Sequence, residues 1–242
     1  RMVCCRAMAL PRSASSFIGR SEELARVREA FQSGNRLVTV VGPPGIGKTR
    51  LAREHATQVA LEMRAAFVDL TSATTGGEAT ALIAAALELD ASRAVPTKFG
   101  EQLARFVAHA GPTLLVLDNF EQLLPNGGLP LIAWLEAAGD LSLLVTSRQR
   151  LGLIGERVVD AAPLGLPPDG TDPDAILAAE SVKLLVDRSG VTPSRAQLSA
   201  VANIVRLLEG VPLAIELFSA QARTVGFARL EETLSASLAA RE

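Results

Sequence analysis

The sequence predicts an α/β fold: a mostly parallel five-stranded sheet flanked by helices, followed by an all-helical C-terminal subdomain. Three observations predict it. Short runs that are apolar on both faces alternate with helical segments, the pattern of a parallel sheet buried on both sides. A glycine-rich loop joins the first of these runs to a helix without a gap. Beyond residues 163–175, which carry four prolines and three acidic residues, every segment reads as helix.

The elements follow in order. Residues 1–16 lack periodicity and are expected to form a disordered leader; Arg6 interrupts the one short apolar stretch there. In residues 22–33, Leu24, Val27 and Phe31 share a helical face, and Gly34 and Asn35 stop the helix. "RLVTVVG" is the first buried strand. A helix from Lys48 to about Glu62 follows the loop. "AAFVDL" (65–70) is the second strand. Helices are expected at 77–89 and 97–110, the latter with Phe99, Leu103, Phe106 and Val107 at helical spacing. "TLLVLDNF" (113–120) is the third strand, a helix lies near Leu131–Ala138, and "LSLLVTSR" (141–148) is the fourth. A short fifth strand covers 156–164. The α/β domain is thus expected over 17–165, a linker over 166–174, and a helical lid over 175–242. The lid helices are expected at roughly 175–188, 195–209, 212–224 and 228–239, with Pro212 in the first turn of the third.

Bulk composition narrows the function classes. The chain has 242 residues, 48% of them apolar and only 4% aromatic, so its core is built from Leu, Val, Ile and Ala. A net charge of −2 creates no field that attracts nucleic acid or an anionic membrane, and no direct nucleic-acid contact is expected. The two cysteines, Cys4 and Cys5, are adjacent, which excludes a disulfide scaffold and suits a reduced, cytoplasmic setting. No apolar run approaches the length of a membrane span. His55 and His109 lack companions at metal-ligand spacing, so His55 is expected to pack or face solvent. Trp134 is expected in the core.

Three stretches carry chemistry. "GPPGIGKTR" (Gly42, Pro43, Pro44, Gly45, Ile46, Gly47, Lys48, Thr49, Arg50) has the pattern G-x-x-x-x-G-K-[ST] between a strand and a helix. The glycines let the backbone approach phosphate oxygens, and the N–H groups at the helix start face the anion. Lys48 would meet the β- and γ-phosphates, and the Thr49 hydroxyl would meet Mg²⁺. The fold expected is therefore that of a P-loop NTPase, with a nucleotide and Mg²⁺ as ligands. In "LLVLDNFEQLL", Asp118 ends a buried strand, where a carboxylate holds Mg²⁺ directly or through water. Asn119 stands where many ATPases carry a second acid, and an amide is no base. Glu121, two residues on, is the candidate base; its alternative is a solvated residue at a helix start. Hydrolysis is accordingly expected to be slow. In "LLVTSRQRL", Arg148, ahead of Arg150, is the candidate γ-phosphate sensor.

Two further stretches, "SFIGRSEEL" (16–24) and "LEGVPLAIEL" (208–217), complete an ordered set of five motifs. Together they resemble the signal-transducing ATPases with numerous domains, the STAND class that includes the NB-ARC proteins. More narrowly, the chain is similar to the ATPase segment of large bacterial LuxR-type and related transcriptional regulators, over about residues 15–240. The resemblance implies ATP or ADP as the nucleotide. It implies that Phe17, Ile18, Gly19 and Arg20 form an adenine-side motif, with Ser21 at a position usually acidic. It implies that Gly210, Pro212 and Leu213 match a GLPLA signature in which Val211 replaces leucine, and that Pro212 presses on the adenine. Read without the family, "GVPLAIEL" is a helix start with Leu213, Ala214, Leu217 and Phe218 facing a core. The function implied is a nucleotide-dependent switch with effector domains or self-association in a longer protein. An ordinary turnover ATPase, a nucleotide kinase or a binding fragment are the alternatives. Asn119 and the scarcity of Arg in 175–242 count against the first two.

Overall fold

A computed structural model describes residues 15–90, 95–124, 129–170 and 172–239. The leader expected at 1–16 lies, up to residue 14, outside the described residues. The chain divides into two compact units.

The first unit holds Ser21–Pro43 and Lys48–Ala161. Its order is α1 (Ser21–Gln32), β1 (Leu37–Val41), α2 (Lys48–Val59), β2 (Arg64–Asp69), α3 (Gly76–Ala86), α4 (Phe99–Ala110), β3 (Thr113–Asp118), a 3₁₀ turn (Phe120–Gln122), α5 (Leu131–Ala137), β4 (Leu141–Ser147) and β5 (Glu156–Asp160). All five strands are parallel, in the spatial order β2-β3-β4-β1-β5. One face of the sheet, with Leu37, Ala66, Val68, Leu115, Leu117, Leu143 and Val145, packs on the apolar sides of α3, α4 and α5. The alternate residues Val38, Val40, Leu114, Val116 and Leu144 are equally buried. They face the side covered by α2 and α1, which is the period-2 geometry of a strand covered twice.

Local chemistry sets the element ends. Gly34, at φ +86°, closes α1, where the Asn35 N–H and side-chain amide both donate to the Ala30 carbonyl. Thr75 and Glu78 form a reciprocal capping box at the start of α3. β3 ends at Asp118, two residues short of the expected 120, because Asn119 turns into the left-handed region at φ 60°. β5 stops at Asp160 rather than 164. Trp134 is core as expected, edge-on to Phe99, and its indole N–H donates to the Pro96 carbonyl at 3.2 Å. His55 is a packing residue, 3% exposed and stacked on Phe31.

The second unit holds Phe17–Arg20, Pro44–Gly47 and the chain from Ala162. Its helices are α6 (Pro173–Ala178), α7 (Glu180–Ser189), α8 (Leu198–Leu207, after a 3₁₀ turn at Arg195–Gln197), α9 (Pro212–Val225) and α10 (Phe227–Ala239). They enclose a separate core that includes Val182, Leu185, Val201, Val205, Ile215, Phe227 and Leu230. Two expectations are corrected here. The single helix expected over 175–188 is two helices, broken at Ala179 (ψ 135°). The break lets the Ser181 N–H and hydroxyl both reach the Gly165 carbonyl, at 3.2 and 2.8 Å. In "GVPLAIEL", the inward residue is Ile215, fully buried, whereas Leu213 and Leu217 are 49% and 65% exposed. Pro212 occupies the first turn of α9, so the helical phase starts there and turns Ile215, Ser219 and Ala222 to the core. Ala214 and Phe218 pack at its margin.

Candidate nucleotide site

In the first unit, the carboxyl ends of β1, β3 and β4 meet, which is where open parallel sheets bind ligands. The chain leaves β1 with the Gly42 N–H donating to the Ser147 carbonyl at 3.3 Å. Lys48 opens α2 and is 8% exposed. Its ammonium donates to the Gly42 and Pro43 carbonyls at 2.8 and 3.1 Å. Burial lowers its pKa; Glu121 opposes that shift, Arg148 adds to it, and Asp118 opposes it. These are the other charged candidates, so all four lie within one electrostatic neighbourhood.

Asp118 is 1% exposed. Its Oδ1 accepts the Thr49 hydroxyl at 2.9 Å and also the Thr146 hydroxyl. Burial raises the Asp118 pKa, and these two hydrogen bonds work against the rise. Thr49 and Asp118 are thereby brought together. Both offer hard oxygens, the donor type that suits Mg²⁺ bound by few protein groups alongside phosphate. Glu121 and Arg148 are brought together too, Nε to Oε1 at 3.0 Å. The Glu121 side chain is 14% exposed and the Arg148 side chain 57%. The second Glu121 oxygen is buried without a partner among the described residues. Arg150 is exposed, and Arg50 donates to the Ser15 carbonyl and hydroxyl at 2.7 and 2.9 Å.

Two further residues stand at this edge. Thr146 accepts the Asn119 N–H at 3.0 Å while holding Asp118. Asp69, the last residue of β2, stands in register with Asp118. Burial pushes its pKa up, but hydrogen bonds from the Thr71 hydroxyl and N–H and from Asn119 outweigh this and hold it below the usual range. The signal for Asp69 was present: it is an acid at the carboxyl end of a buried strand, like Asp118.

The second unit contains the crest of the loop, Pro44–Gly47. Gly45 and Gly47 adopt φ +75° and +95°, which glycine alone adopts without strain. A Cβ on Gly45 would stand 2.9 Å from that of Leu213, whose N–H donates to the Gly45 carbonyl at 3.1 Å. Arg20 is 3% exposed with φ 62°. Its guanidinium donates to the Ile46 carbonyl and, at 2.9 Å, to that of Ala162, while its N–H donates to Glu180 Oε1 at 2.8 Å. Within this unit, Arg20 thus braces the loop crest. Phe17 and Ile18 line a cavity of about 550 Å³ with Leu177, Val182 and Val186. Pro212 is half-buried at the start of α9 and does not line it.

Over 201 residues the chain is 34% identical to a Mycobacterium tuberculosis protein named as a candidate HTH-type transcriptional regulator, covering 81% of this chain and 21% of the relative. It is also 34% identical over 224 residues to an uncharacterised protein of the same species, covering 88% of this chain and 52% of that one. The chain therefore spans about a fifth and about half of the lengths of these relatives. Among solved structures, a Walker-type ATPase of Pyrococcus abyssi superposes with a TM-score of 0.63 at 15% identity, over 93% of this chain and 75% of that one. Cdc6p of Pyrobaculum aerophilum superposes with a TM-score of 0.59 at 17% identity, over 89% and 65%. These likenesses show the P-loop NTPase fold. Residues 16–154, more than half of the chain, match the AAA ATPase domain, and the chain belongs to that family.

Proposed function

We propose that the chain binds ATP and ADP with Mg²⁺ and works as a slow nucleotide-dependent switch of the STAND type, the ATPase module of a longer bacterial transcriptional regulator. The observation that carries this reading is the joining of Thr49 to Asp118 beside a buried Lys48 at the carboxyl edge of a parallel sheet. Lys48 exchanges the Gly42 and Pro43 carbonyls for phosphate oxygens when nucleotide enters. Thr49 and Asp118 would hold Mg²⁺, which would supply positive charge to offset that of the phosphates. Arg148 reads the γ-phosphate and Glu121 holds it in place. Gly42, Pro43, Pro44, Gly45, Ile46, Gly47 and Arg50 form and support the phosphate loop. The family resemblance assigns the adenine side to Phe17, Ile18 and Pro212, while Arg20 braces the loop crest through the Ile46 carbonyl.

The switch reading requires that ATP and ADP bind two forms of the protein with different affinity, since equal affinity shifts no equilibrium. The relationship to a regulator supports a longer protein as the setting in which that difference is used. Among the described residues no helix is long and apolar enough to cross a membrane.

The test is to denature the purified protein and identify the nucleotide released. ADP at near one per chain, lost in Lys48→Ala, is the expected result. A protein empty of nucleotide, with no measurable affinity for ATP or ADP, refutes the reading. Equal affinity for the two nucleotides refutes the switch but leaves nucleotide binding intact.

A further inference from the structure

We propose that Asp69 activates the attacking water in ATP hydrolysis, supplying the carboxylate that Asn119 withholds. This rests on the nucleotide reading above and names a residue within the same site.

Asp69 and Asp118 are register partners on β2 and β3, so their side chains emerge side by side at the carboxyl edge of the sheet. Asn119, turned into the left-handed region, links them. Its amide nitrogen lies 3.1 Å from Asp69 Oδ1, 2.8 Å from Thr71 Oγ1 and 3.3 Å from Asp118 Oδ2. The Thr71 N–H and hydroxyl also donate to Asp69 Oδ1, the N–H at 2.9 Å. Every hydrogen bond to Asp69 among the described residues therefore ends on Oδ1. These donors fix the plane of the carboxylate and leave Oδ2 turned away from them on an exposed side chain.

The two neighbouring carboxylates are placed differently. Asp118 is buried, with Oδ1 engaged by Thr49 and Thr146 and Oδ2 by Asn119. Glu121 has Oε1 on Arg148 and Oε2 buried. A base must reach its proton directly and be held in position. Of the three, Asp69 alone offers an accessible, oriented oxygen. In the reaction, the water oxygen bonds to the γ-phosphorus as the bond from that phosphorus to the β,γ-bridging oxygen breaks. The bonding electrons leave with ADP. One water proton passes to Asp69 Oδ2 and then to solvent; the other stays on the phosphate.

The experiment pairs calorimetric titration of ATP and ADP with single-turnover hydrolysis of Mg²⁺-ATP, for wild type, Asp69→Asn, Asp69→Glu and Glu121→Gln. Asp69→Asn is expected to lower the hydrolysis rate at saturating ATP by about 100-fold, the usual loss for a removed general base. Its affinity for both nucleotides should stay within about threefold of wild type, which also reports intact folding. Asp69→Glu should recover part of the rate. Asp69→Asn that binds ATP and hydrolyses it at the wild-type rate overturns the proposal. So does a full loss in Glu121→Gln with none in Asp69→Asn, or a wild type that binds ATP and never hydrolyses it. A wild type without nucleotide affinity instead fails the underlying reading.

Discussion

Gly210→Ala in the "GVPLA" stretch should destabilise the second unit far more than an alanine at another left-handed glycine. Gly210 has φ +66°. A Cβ built there would stand 2.4 Å from the Leu164 carbonyl oxygen, which is backbone and has no rotamer to yield. Gly190, which ends α7, has nearly the same φ of +65°, but its Cβ would meet only the tip of Arg223 at 3.6 Å. Each substitution costs about 1–2 kcal/mol for placing an L residue in this region. Each regains about 0.4–1 kcal/mol from a stiffer unfolded chain. At Gly210 the backbone must also move. That strains the bond from the Leu164 N–H to the Gly210 carbonyl, 2.9 Å long, beside a Leu164 that is 3% exposed. Leaving such buried groups unpaired costs about 1–3 kcal/mol. The expected loss is roughly 2–4 kcal/mol for Gly210→Ala, against about 1 kcal/mol for Gly190→Ala. Urea unfolding followed by circular dichroism measures both. Values within about 0.5 kcal/mol of each other would show that the Leu164 contact sets nothing, and the steric argument would fail.

Two further outcomes test other parts of the structure. His55 is buried, and burial, with a smaller contribution from Arg28, depresses its pKa to about 4. Between that value and the unfolded value near 6.5 the unfolded chain binds more protons, so stability falls as pH drops through this window, by on the order of 3 kcal/mol. His55→Phe, which keeps a ring against Phe31, should flatten that part of a plot of urea midpoint against pH; an unchanged slope would clear His55 of the effect. Arg148→Ala should cost under about 1 kcal/mol of stability, because the Arg148 side chain is 57% exposed. It should weaken ATP by roughly tenfold and ADP by less than threefold, as expected for a charge that meets only the γ-phosphate. Calorimetry that finds ATP and ADP weakened alike would remove Arg148 as the γ-phosphate reader.

Much of the fold was legible because the signals are local. Two-sided apolar runs marked β1 to β4, the short and more exposed β5 carries only Val158 and Val159, and the 3.6 period marked buried faces of α1, α4 and α8. The glycine-rich loop and Asp118 could be read as phosphate and metal groups because their meaning depends only on sitting between a strand and a helix or at a strand end. The reading failed at Leu213 and Leu217, where the phase of α9 depends on where Pro212 starts the helix. It also failed at residues 175–188, where a distant carbonyl at Gly165 competes for the backbone of Ser181.

By itself, the sequence determined that this chain carries a parallel α/β layer with a P-loop, an acid at the end of a buried strand and a helical region after it, since each follows from short-range periodicity and spacing. Only the tertiary structure decided what those groups touch. The order β2-β3-β4-β1-β5 sets Thr146 and Asp69 on either side of β3, although they lie 28 residues after and 49 before Asp118. The same is true of Arg20 on Ile46, 26 residues apart, and of Arg148 on Glu121, 27 apart. Such contacts join distant stretches through strand order and loop closure, and no local pattern encodes them.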